Sequence, residues 1–405
     1  MTCRRSLVLC LVAMLFALAM ALPLSASADS GKVTIRCDKS KTIADALAQQ
    51  QGGPLTVEVV GTCFEHVTVR RSDVTLVAGS PGAAIQGTDP TVDTLTVLAD
   101  RFVLDGLSVS GGRNGIVVTG ASQAQLRNCT ARASGSGIVG GIGILFSQGA
   151  SGSVDSCNSS GNPADGIMLD GAIVAMTNST FKGNARNGVF VFGASTSRIG
   201  FTNAFVPGPN IISDNGANGI HLTQNSLGLI FGNTVTGNGT NPNSPLGRFG
   251  VLLFHSRADL PGRNTITGNF GAGILLTGST GVIGDPGFGL PSDNTISGNS
   301  TAAPSGGIVL GLASAAVVRN ATIQANNGAG LNLAGRSTVS MFSGIVTTNT
   351  INGLQLSQGS TVLFQNVPPL ASIGGNTGTD LLCLDGESSF TGPLTGTPTI
   401  TCTGF

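Results

Sequence analysis

The hydrophobic pattern of the chain repeats a short unit of Gly, an aliphatic residue, one variable residue and a second aliphatic residue. The two aliphatic residues are two positions apart and no helical i, i+3, i+4 pattern follows, so each copy predicts a short β-strand with both aliphatic side chains on one face. Clear copies begin at Gly166, Gly188, Gly219, Gly250, Gly273, Gly307, Gly330 and Gly353, and looser copies begin at Gly115 and Gly141.

The spacing of these strands predicts a solenoid. With Ile142 as the first aliphatic residue of the second copy, the intervals between copies are 26, 25, 22, 31, 31, 23, 34, 23 and 23 residues. A minimal unit of 22 to 23 residues, lengthened in places by 8 to 11, is typical of a repeat protein whose insertions leave as loops. Such a unit accommodates three short strands and their turns but no crossover helix, so equivalent strands of successive coils are expected to pair in parallel.

Polar positions repeat with the same period. NTVTGN (233–238), NTITGN (264–269) and NTISGN (294–299) each precede a Gly-aliphatic strand. Equivalent corner residues of successive coils lie about 4.8 Å apart, so inward Asn side chains are expected to form a hydrogen-bonded ladder. Gly there supplies a left-handed backbone or a close approach. We interpret the Asn-x-Ser/Thr sequences at Asn178, Asn238 and Asn299 as ladder residues rather than glycan acceptors.

The N-terminal residues predict export. Arg4 and Arg5 precede an apolar run from Leu7 to Leu22, and small residues end at Ala28, which is typical of a secretory signal peptide spanning residues 1–28. No later apolar run reaches the roughly 20 residues of a membrane span. We expect an exported protein without a membrane span, in the periplasm, the extracellular medium or at the cell surface.

The mature chain is expected to form one domain with caps. The β-helix domain is predicted over residues 29–367, with an N-terminal cap at about 33–53. Apolar residues recur at helical spacing within 41–53, which predicts a short capping helix over the open end of the stack. Residues 368–405 lose the repeat and are expected to form a C-terminal cap segment, a hairpin or loop closed by a disulfide.

Composition excludes several protein classes. Without Arg4 and Arg5 the chain carries 18 Lys and Arg against 20 Asp and Glu, a net charge of −2, and has no basic stripe that would bind nucleic acid. Charged residues make up only 10% and Gly occupies 61 positions, which is wrong for a helical bundle, whereas 40% apolar residues are too many for a disordered chain.

Six cysteines follow the expected cleavage site, and their even number in an exported chain favours disulfides, although sequence alone leaves the connectivity open. We favour pairing between neighbours along the chain: Cys37 with Cys63, Cys129 with Cys157, and Cys383 with Cys402. Cys129 and Cys157 are 28 residues apart, close to one coil, and would face each other on adjacent coils. No pair has the close spacing of a zinc site, so no metal site is predicted.

Together, the Asn-rich corners and the Gly-aliphatic strands of residues 33–365 resemble right-handed parallel β-helix proteins of the pectin-lyase-like superfamily, whose repeat is N-x-Φ-x-x-N followed by G-Φ-x-Φ. The resemblance implies an all-β, single-stranded right-handed parallel β-helix (solenoid) with a short N-terminal capping helix. It does not specify function, since the superfamily includes lyases, hydrolases, epimerases, tailspikes and adhesins. The catalytic motifs Arg-x-Pro-x-x-Arg, Asp-Asp, Gly-His-Gly and Asp-Pro-His of such enzymes are absent from this sequence.

The variable residues between the aliphatics are expected to point outward. Coil by coil they are Met168, Phe190, His221, Leu252, Leu275, Val309, Asn332 and Gln355. This face is apolar around residues 190–275, so it is either covered by the inserts at 193–210 and 239–250 or forms a binding surface. We favour covering by the inserts.

Five polar residues near this face are candidate catalytic residues: Asp170, His221, His255, Arg257 and Asp259. They could supply the acid, the base and the carboxylate-binding Arg of a uronan lyase or hydrolase. Asp170 and His221 are two coils apart, roughly 10 Å, which is long for direct coupling. The chain also lacks Trp and Tyr, the aromatic residues with a polar edge that suit oligosaccharide clefts.

We therefore expect a monomeric, non-catalytic β-helix scaffold without a cofactor, which binds a polysaccharide or a cell-surface partner on one flank. The alternative is a carbohydrate-active enzyme, a polysaccharide lyase or glycoside hydrolase, that acts on a uronic-acid-containing polymer near His221 and His255, with calcium as cofactor in the lyase case. A third hypothesis is copper-related metal handling, which the presence of only 3 His and the lack of Met-rich motifs disfavour.

Overall fold

A computed structural model describes residues 31–39, 41–49, 52–135, 140–202, 206–284, 293–302 and 305–402. The expected signal peptide, residues 1–28, lies outside these residues. The described chain forms an all-β parallel solenoid with one short helix, Ile43–Gln49, as the sequence predicts. No helix in the described part is long and apolar enough to cross a membrane.

Each regular coil contributes one strand to each of three parallel sheets, which we call A, B and C. A coil that is counted from its Gly-aliphatic strand passes through sheet C, then sheet A, then sheet B. Sheet C has 14 strands: Val67–Val69, Leu95–Val97, Ile116–Val118, Ile144–Ser147, Ile167–Asp170, Val189–Phe192, Ile220–Thr223, Val251–Phe254, Ile274–Thr277, Ile308–Gly311, Leu331–Leu333, Leu354–Leu356, Leu381–Cys383 and Ile400–Thr401.

Sheet A is the longest layer and includes the first strand. Its 15 strands are Gly31–Arg36, Leu55–Val60, Val74–Ala78, Phe102–Asp105, Gln123–Arg127, Ser151–Asp155, Ile173–Thr177, Thr196–Ile199, Leu227–Phe231, Arg257–Gly262, Thr280–Ile283, Ala315–Val318, Thr338–Met341, Thr361–Phe364 and Ser389–Thr391.

Sheet B is divided into a 4-stranded and an 8-stranded part, joined by single bridges through Asn158. The first part contains Thr62–Cys63, Ala84–Gln86, Ser108–Ser110 and Thr130–Arg132. The second contains Thr180–Lys182, Ile211–Ser213, Thr234–Thr236, Thr265–Thr267, Thr295–Ser297, Ala321–Gln324, Gly344–Thr347 and Ser372–Ile373.

The register confirms the repeat and corrects one of its positions. Ile167 pairs with Val189, and Val189 with Ile220, so the first aliphatic residues stack in the core as expected. Ile142 does not belong to this column, because Ile144 pairs with both Ile116 and Ile167. The reason is that Gly143 occupies the tight corner, where a Cβ would lie 2.7 Å from Asn162 Nδ2.

A long ladder of Asn side chains fills the corner between sheets B and C. Each Nδ2 donates to Oδ1 of the Asn on the next coil at 2.8 to 3.0 Å. Its members are Asn162, Asn184, Asn215, Asn238, Asn269, Asn299, Asn326, Asn349 and Asn376. At the end, Asn376 Nδ2 donates to Asp380 Oδ1 at 2.9 Å. Burial would raise the pKa of Asp380, but hydrogen bonds from Asn376 and Thr399 outweigh it and lower that pKa.

A second ladder lies between sheets A and B and clarifies the Asn-x-Ser/Thr sequences. It runs through Asn210, Asn233, Asn264 and Asn294. Asn238 and Asn299 are members of the long ladder, as expected. Asn178 is not a ladder residue: it is exposed, has φ 50° and donates to Asp155 Oδ1 at 2.8 Å.

Gly has the two expected roles at these corners. A Cβ on Gly219 would lie 2.6 Å from the carbonyl oxygen of Gly250 and 2.8 Å from Asn238 Nδ2, so close approach excludes a side chain there. Gly268 in NTITGN instead has φ 63°, the left-handed conformation that other residues resist.

Disulfides link the cysteines in the favoured pairs, Cys37 with Cys63, Cys129 with Cys157, and Cys383 with Cys402. The backbone N–H of Cys129 bonds to Cys157 Sγ, that of Cys157 to Ser179 Oγ, and that of Ser179 to Asn210 Oδ1. The Cys129–Cys157 pair therefore continues the column of the second ladder. Three disulfides are typical of exported proteins.

Of the two forms expected for the C-terminal cap segment, a hairpin or a loop, the hairpin is not formed within the described residues 368–402. Ser372–Ile373 joins sheet B, Ser389–Thr391 joins sheet A, and Leu381 pairs in parallel with both Leu354 and Ile400. Inward residues remain buried beyond residue 367, including Ile373 and Leu381, so the apolar core favours continued coiling over a hairpin. The Cys383–Cys402 disulfide consequently joins successive coils.

The helix Ile43–Gln49 packs against the first strands of sheets A and C. Its own residues Ile43 and Ala46 are buried against the core. Thr42 and Asp45 exchange side-chain to backbone hydrogen bonds at 3.0 Å, and the Glu65 carboxylate accepts from the N–H of Ile43 at 2.8 Å. These contacts satisfy the N-terminal N–H groups of a helix that covers the end of the core.

Candidate functional site

His221 lies at the centre of the outer face of sheet C and is almost buried. Its ring centroid is 5.0 Å from that of Phe190, which stacks on Phe192 at 5.1 Å. The side chain is 8% exposed, and Nδ1 has no hydrogen-bond partner among the described residues. Burial lowers the pKa of His221 to about 4, so the imidazole is neutral at neutral pH. This environment suits a packing role better than proton transfer.

Of the described residues of the two inserts, only those of the second border this face. Residues 193–202 include the sheet A strand Thr196–Ile199, and residues 206–210 lead into the sheet B strand Ile211–Ser213, so the expectation that the first insert covers sheet C is wrong for its described residues. The insert 239–250 precedes Val251 and is held at the start of sheet C, because Asn218 Nδ2 donates to the carbonyl of Leu246 at 2.7 Å.

The five candidate residues do not form one cluster. Asp170 ends a sheet C strand and pairs with Phe192, which places it two coils from His221. His255 follows Phe254 at the corner from sheet C to sheet A. Arg257 and Asp259 lie on the outer face of sheet A, with Nη2 of Arg257 3.3 Å from Asp259 Oδ2. Among the described residues no group of His, Cys, Asp and Glu is arranged to hold a metal ion.

His255 and Arg257 do share a small pocket. It has a volume of about 430 Å³ and is lined by Asn225, Ser226, Leu227, His255, Ser256, Arg257, Gly278 and Thr280. Asp170, His221 and Asp259 are not among its lining residues. Two of the five candidates are therefore brought together around one space.

A larger groove lies on the outer face of sheet A, where sequence reasoning placed no site. It has a volume of about 580 Å³. Its lining comprises Gln123, Ala124, Gln125, Arg127, Ser151, Gly152, Ser153, Ile173, Val174, Ala175, Thr177, Thr196, Arg198 and Thr202. This set contains amides, hydroxyls and two guanidinium groups, but no carboxylate and no imidazole. We call it the sheet A groove.

Small outward residues form the groove. Gln125, Ser153, Ala175 and Arg198 are stacked in one column of sheet A, so two short side chains lie between two long ones. Thr202 of the first insert adds a lining residue at one side. The sequence does contain a signal for this groove. At the outward positions of the sheet A strands, Ser153 and Ala175 stand on two successive coils where the flanking coils have the larger Gln125 and Arg198.

One carboxylate lies beside the groove without lining it. Asp155 accepts hydrogen bonds from Thr177 Oγ1 at 2.6 Å and from Asn178 Nδ2 at 2.8 Å. Burial would raise the pKa of Asp155, but these bonds and the charge of Arg127 lower it, so the carboxylate is ionised. Its hydrogen-bond acceptors are occupied by neighbouring side chains.

Comparison with known families agrees with this architecture. The family described as right handed beta helix region matches residues 62–206 and 243–367, which is more than half of the chain. The chain belongs to this family. The β-helix protein described here has no match among curated protein sequences.

Solved structures of similar architecture share little sequence with this β-helix protein. The periplasmic alginate epimerase AlgG is 12% identical, with a TM-score of 0.49 over 90% of this chain and 84% of that chain. The A-module of mannuronan C-5 epimerase AlgE6 from Azotobacter vinelandii is 16% identical, with a TM-score of 0.45 over 86% and 93%. The Dettilon tailspike protein is 13% identical, with a TM-score of 0.41 over 73% and 62%. Such distant similarity does not bear on function.

Proposed function

We propose that this protein is an exported, non-catalytic β-helix scaffold that binds a polysaccharide in the sheet A groove. The observation that carries the proposal is the lining of the groove. Amide and hydroxyl groups both donate and accept hydrogen bonds, as sugar hydroxyls require. The guanidinium groups of Arg127 and Arg198 add the donors that pair with carboxylates.

The dimensions of the groove favour an extended ligand. Apart from Thr202, its lining residues come from four successive strands of sheet A, those that contain Gln123, Ser151, Ile173 and Thr196. Three steps of about 4.8 Å give a length of roughly 14 Å along the solenoid axis. A segment of a polymer can follow such a groove across several coils.

The charge of the lining favours an acidic polymer. Two Arg and no Asp or Glu contribute to the surface of the groove. A uronate-containing polysaccharide is therefore expected to bind more tightly than a neutral one, and added salt should weaken its binding.

The proposal is tested by calorimetric titration of the purified mature protein with polygalacturonate, alginate and neutral dextran. Ala175→Trp fills the floor of the groove and should abolish binding, whereas Val317→Trp, in the same column of sheet A but outside the groove, should retain it. The chain contains no Trp, so each variant also carries a single fluorescent reporter of correct folding. Equal binding by both folded variants would exclude the sheet A groove as the site.

The enzyme alternative rests on His255 and Arg257, which share a pocket. The same samples are therefore monitored for ultraviolet absorbance of unsaturated uronates and for new reducing ends. Product formation that disappears in His255→Ala would replace the scaffold by a lyase or hydrolase. We further propose that the protein acts as a monomer in the periplasm, in the extracellular medium or at the cell surface; light scattering and fractionation test these points.

A further inference from the structure

Differences in corner length create the pocket that contains His255 and Arg257. The strand ends Thr223, Phe254, Thr277 and Gly311 are stacked in sheet C, and the strand starts Leu227, Arg257, Thr280 and Ala315 are stacked in sheet A. Three residues, 224–226 and 312–314, connect the strands at the first and the last of these four corners. Only two residues, 255–256 and 278–279, connect the strands at the two corners between them. The two short corners are therefore recessed between longer ones, and we call the resulting pocket the corner notch.

The His255 side chain is held in place within the corner notch. His255 has φ 47°, and its ring centroid lies 4.5 Å from that of Phe254 in an edge arrangement. A Cβ on Gly278 would lie 2.6 Å from His255 Nδ1, so the ring rests directly on the backbone of the next coil. Contacts on two sides thus orient an imidazole that is otherwise exposed.

Ser226, on one wall of the notch, has an unused hydroxyl group. In the neighbouring corners the Oγ of Ser256 donates to the carbonyl of Phe254 at 3.2 Å, and that of Ser279 to the carbonyl of Thr277 at 2.9 Å. Ser226 is 1% exposed, yet its Oγ has no partner among the described residues. Buried hydroxyls are normally satisfied, so this wall retains a polar group that the chain does not use.

The charge of the notch is positive. Arg257 is its one permanently charged lining residue, with 59% of the side chain exposed. The opposing charge is Asp259, whose carboxylate oxygens lie 3.3 and 3.4 Å from Nη2. An exposed ion pair of this kind contributes little, and the guanidinium has further donors.

We propose that the corner notch binds a single anionic group, a carboxylate or a sulfate, with Arg257 as its principal ligand and with His255 beside it. The planar guanidinium donates two parallel hydrogen bonds to such a group. The site lies on coils that follow the sheet A groove, and the inference does not depend on binding in that groove.

The three histidines of the chain provide a direct assay. Protein labelled with ¹³C-histidine is titrated with inorganic sulfate, D-galacturonate and D-galactose, with sodium chloride at matched ionic strength as reference. We expect the His255 resonance to shift and saturate with sulfate or galacturonate, while those of His66 and His221 stay in place. Galactose and chloride should have no such effect.

Substitutions test whether the charge of Arg257 is responsible. Arg257→Gln should weaken binding roughly tenfold or more, as expected for loss of a charge-assisted contact. Arg336→Gln, at an exposed corner of a later coil, is the matched control and should bind as wild type. Asp259→Asn should strengthen binding, because it removes the competing carboxylate from Arg257.

The outcomes separate the sources of the anion. Saturation by galacturonate alone identifies a saccharide carboxylate, and saturation by sulfate alone identifies a free oxyanion. Three histidine resonances that move together, a response to galactose, or unchanged binding by Arg257→Gln would each overturn the proposal. Ala175→Trp should leave the notch titration unchanged, so failure of the notch and failure of the sheet A groove can be distinguished.

Discussion

A fall in pH from 7 to 4 should destabilise this protein in part through His221. The imidazole is 8% exposed, packs against Phe190 and has no partner for Nδ1 among the described residues. Burial lowers its pKa from 6.5 to about 4. The folded protein therefore resists a proton that the unfolded chain accepts readily.

The sign and size of the effect follow from this pKa. Because the folded pKa lies below the unfolded value, the unfolded chain binds more protons between pH 6.5 and 4. Stability that is fully present above pH 6.5 is lost as the pH falls through this window. A difference of about 2.5 between the unfolded and folded pKa values lowers the free energy of unfolding by at most about 3 kcal/mol.

The assay is urea unfolding of the wild type and His221→Phe at several pH values between 7.5 and 4. Carboxylates titrate in both proteins, so the difference between their free energies of unfolding isolates His221. That difference should move in favour of His221→Phe by up to about 3 kcal/mol on acidification. Leu252→Phe, the next residue in the same column, is the control and should differ from wild type by a constant amount. Parallel pH curves for His221→Phe and wild type would refute the reasoning.

Two further predictions concern the corner hydrogen bonds, and both are measured by urea unfolding at neutral pH. Asn238→Ala removes the links to Asn215 and Asn269 and should cost about 2 to 4 kcal/mol, since it leaves buried polar groups unsatisfied. Asn178→Gly, in the exposed sequence of the same type, accommodates the φ of 50° and should change stability by less than about 1 kcal/mol, and equal losses would contradict the ladder assignment. Ser226→Ala should be neutral or stabilising, whereas Ser279→Ala should cost about 1 kcal/mol because its Oγ is hydrogen-bonded.

The fold could be predicted because every coil repeats the same steric requirements. One corner accepts only Gly, as at Gly219, and another requires Asn, as at Asn238. Because both corners recur from coil to coil, Gly and Asn recur at regular intervals in the sequence. The prediction was wrong where the pattern was ambiguous or weak. Two successive Gly-aliphatic pairs made Ile142 as plausible as Ile144. Beyond residue 367, Asp380 precedes Leu381 where Gly353 precedes Leu354, so the Gly-aliphatic signature is lost although Ile373 and Leu381 keep their inward positions.

The candidate sites were less accessible to sequence reasoning, because they arise from differences between coils. The floor of the sheet A groove depends on small residues such as Ser153 and Ala175, which produce no apolar or charged signal. The corner notch depends on whether two or three residues connect the sheet C strand to the sheet A strand. This difference can be counted only after the register of both sheets is known. His255 and Arg257 were identified from residue type, but the burial of His221 depends on rings such as that of Phe190 on the preceding coil.

The long asparagine ladder has a direction, since each side-chain N–H points toward the following coil and each carbonyl toward the preceding one. A duplicated coil inserted within the array would find a complementary amide above and below it. Beyond Asn376 this is impossible, because the Asp380 carboxylate accepts the last bond and has no N–H to pass on. The solenoid can therefore be lengthened by duplication of a coil within the ladder, whereas the ladder itself ends at Asp380.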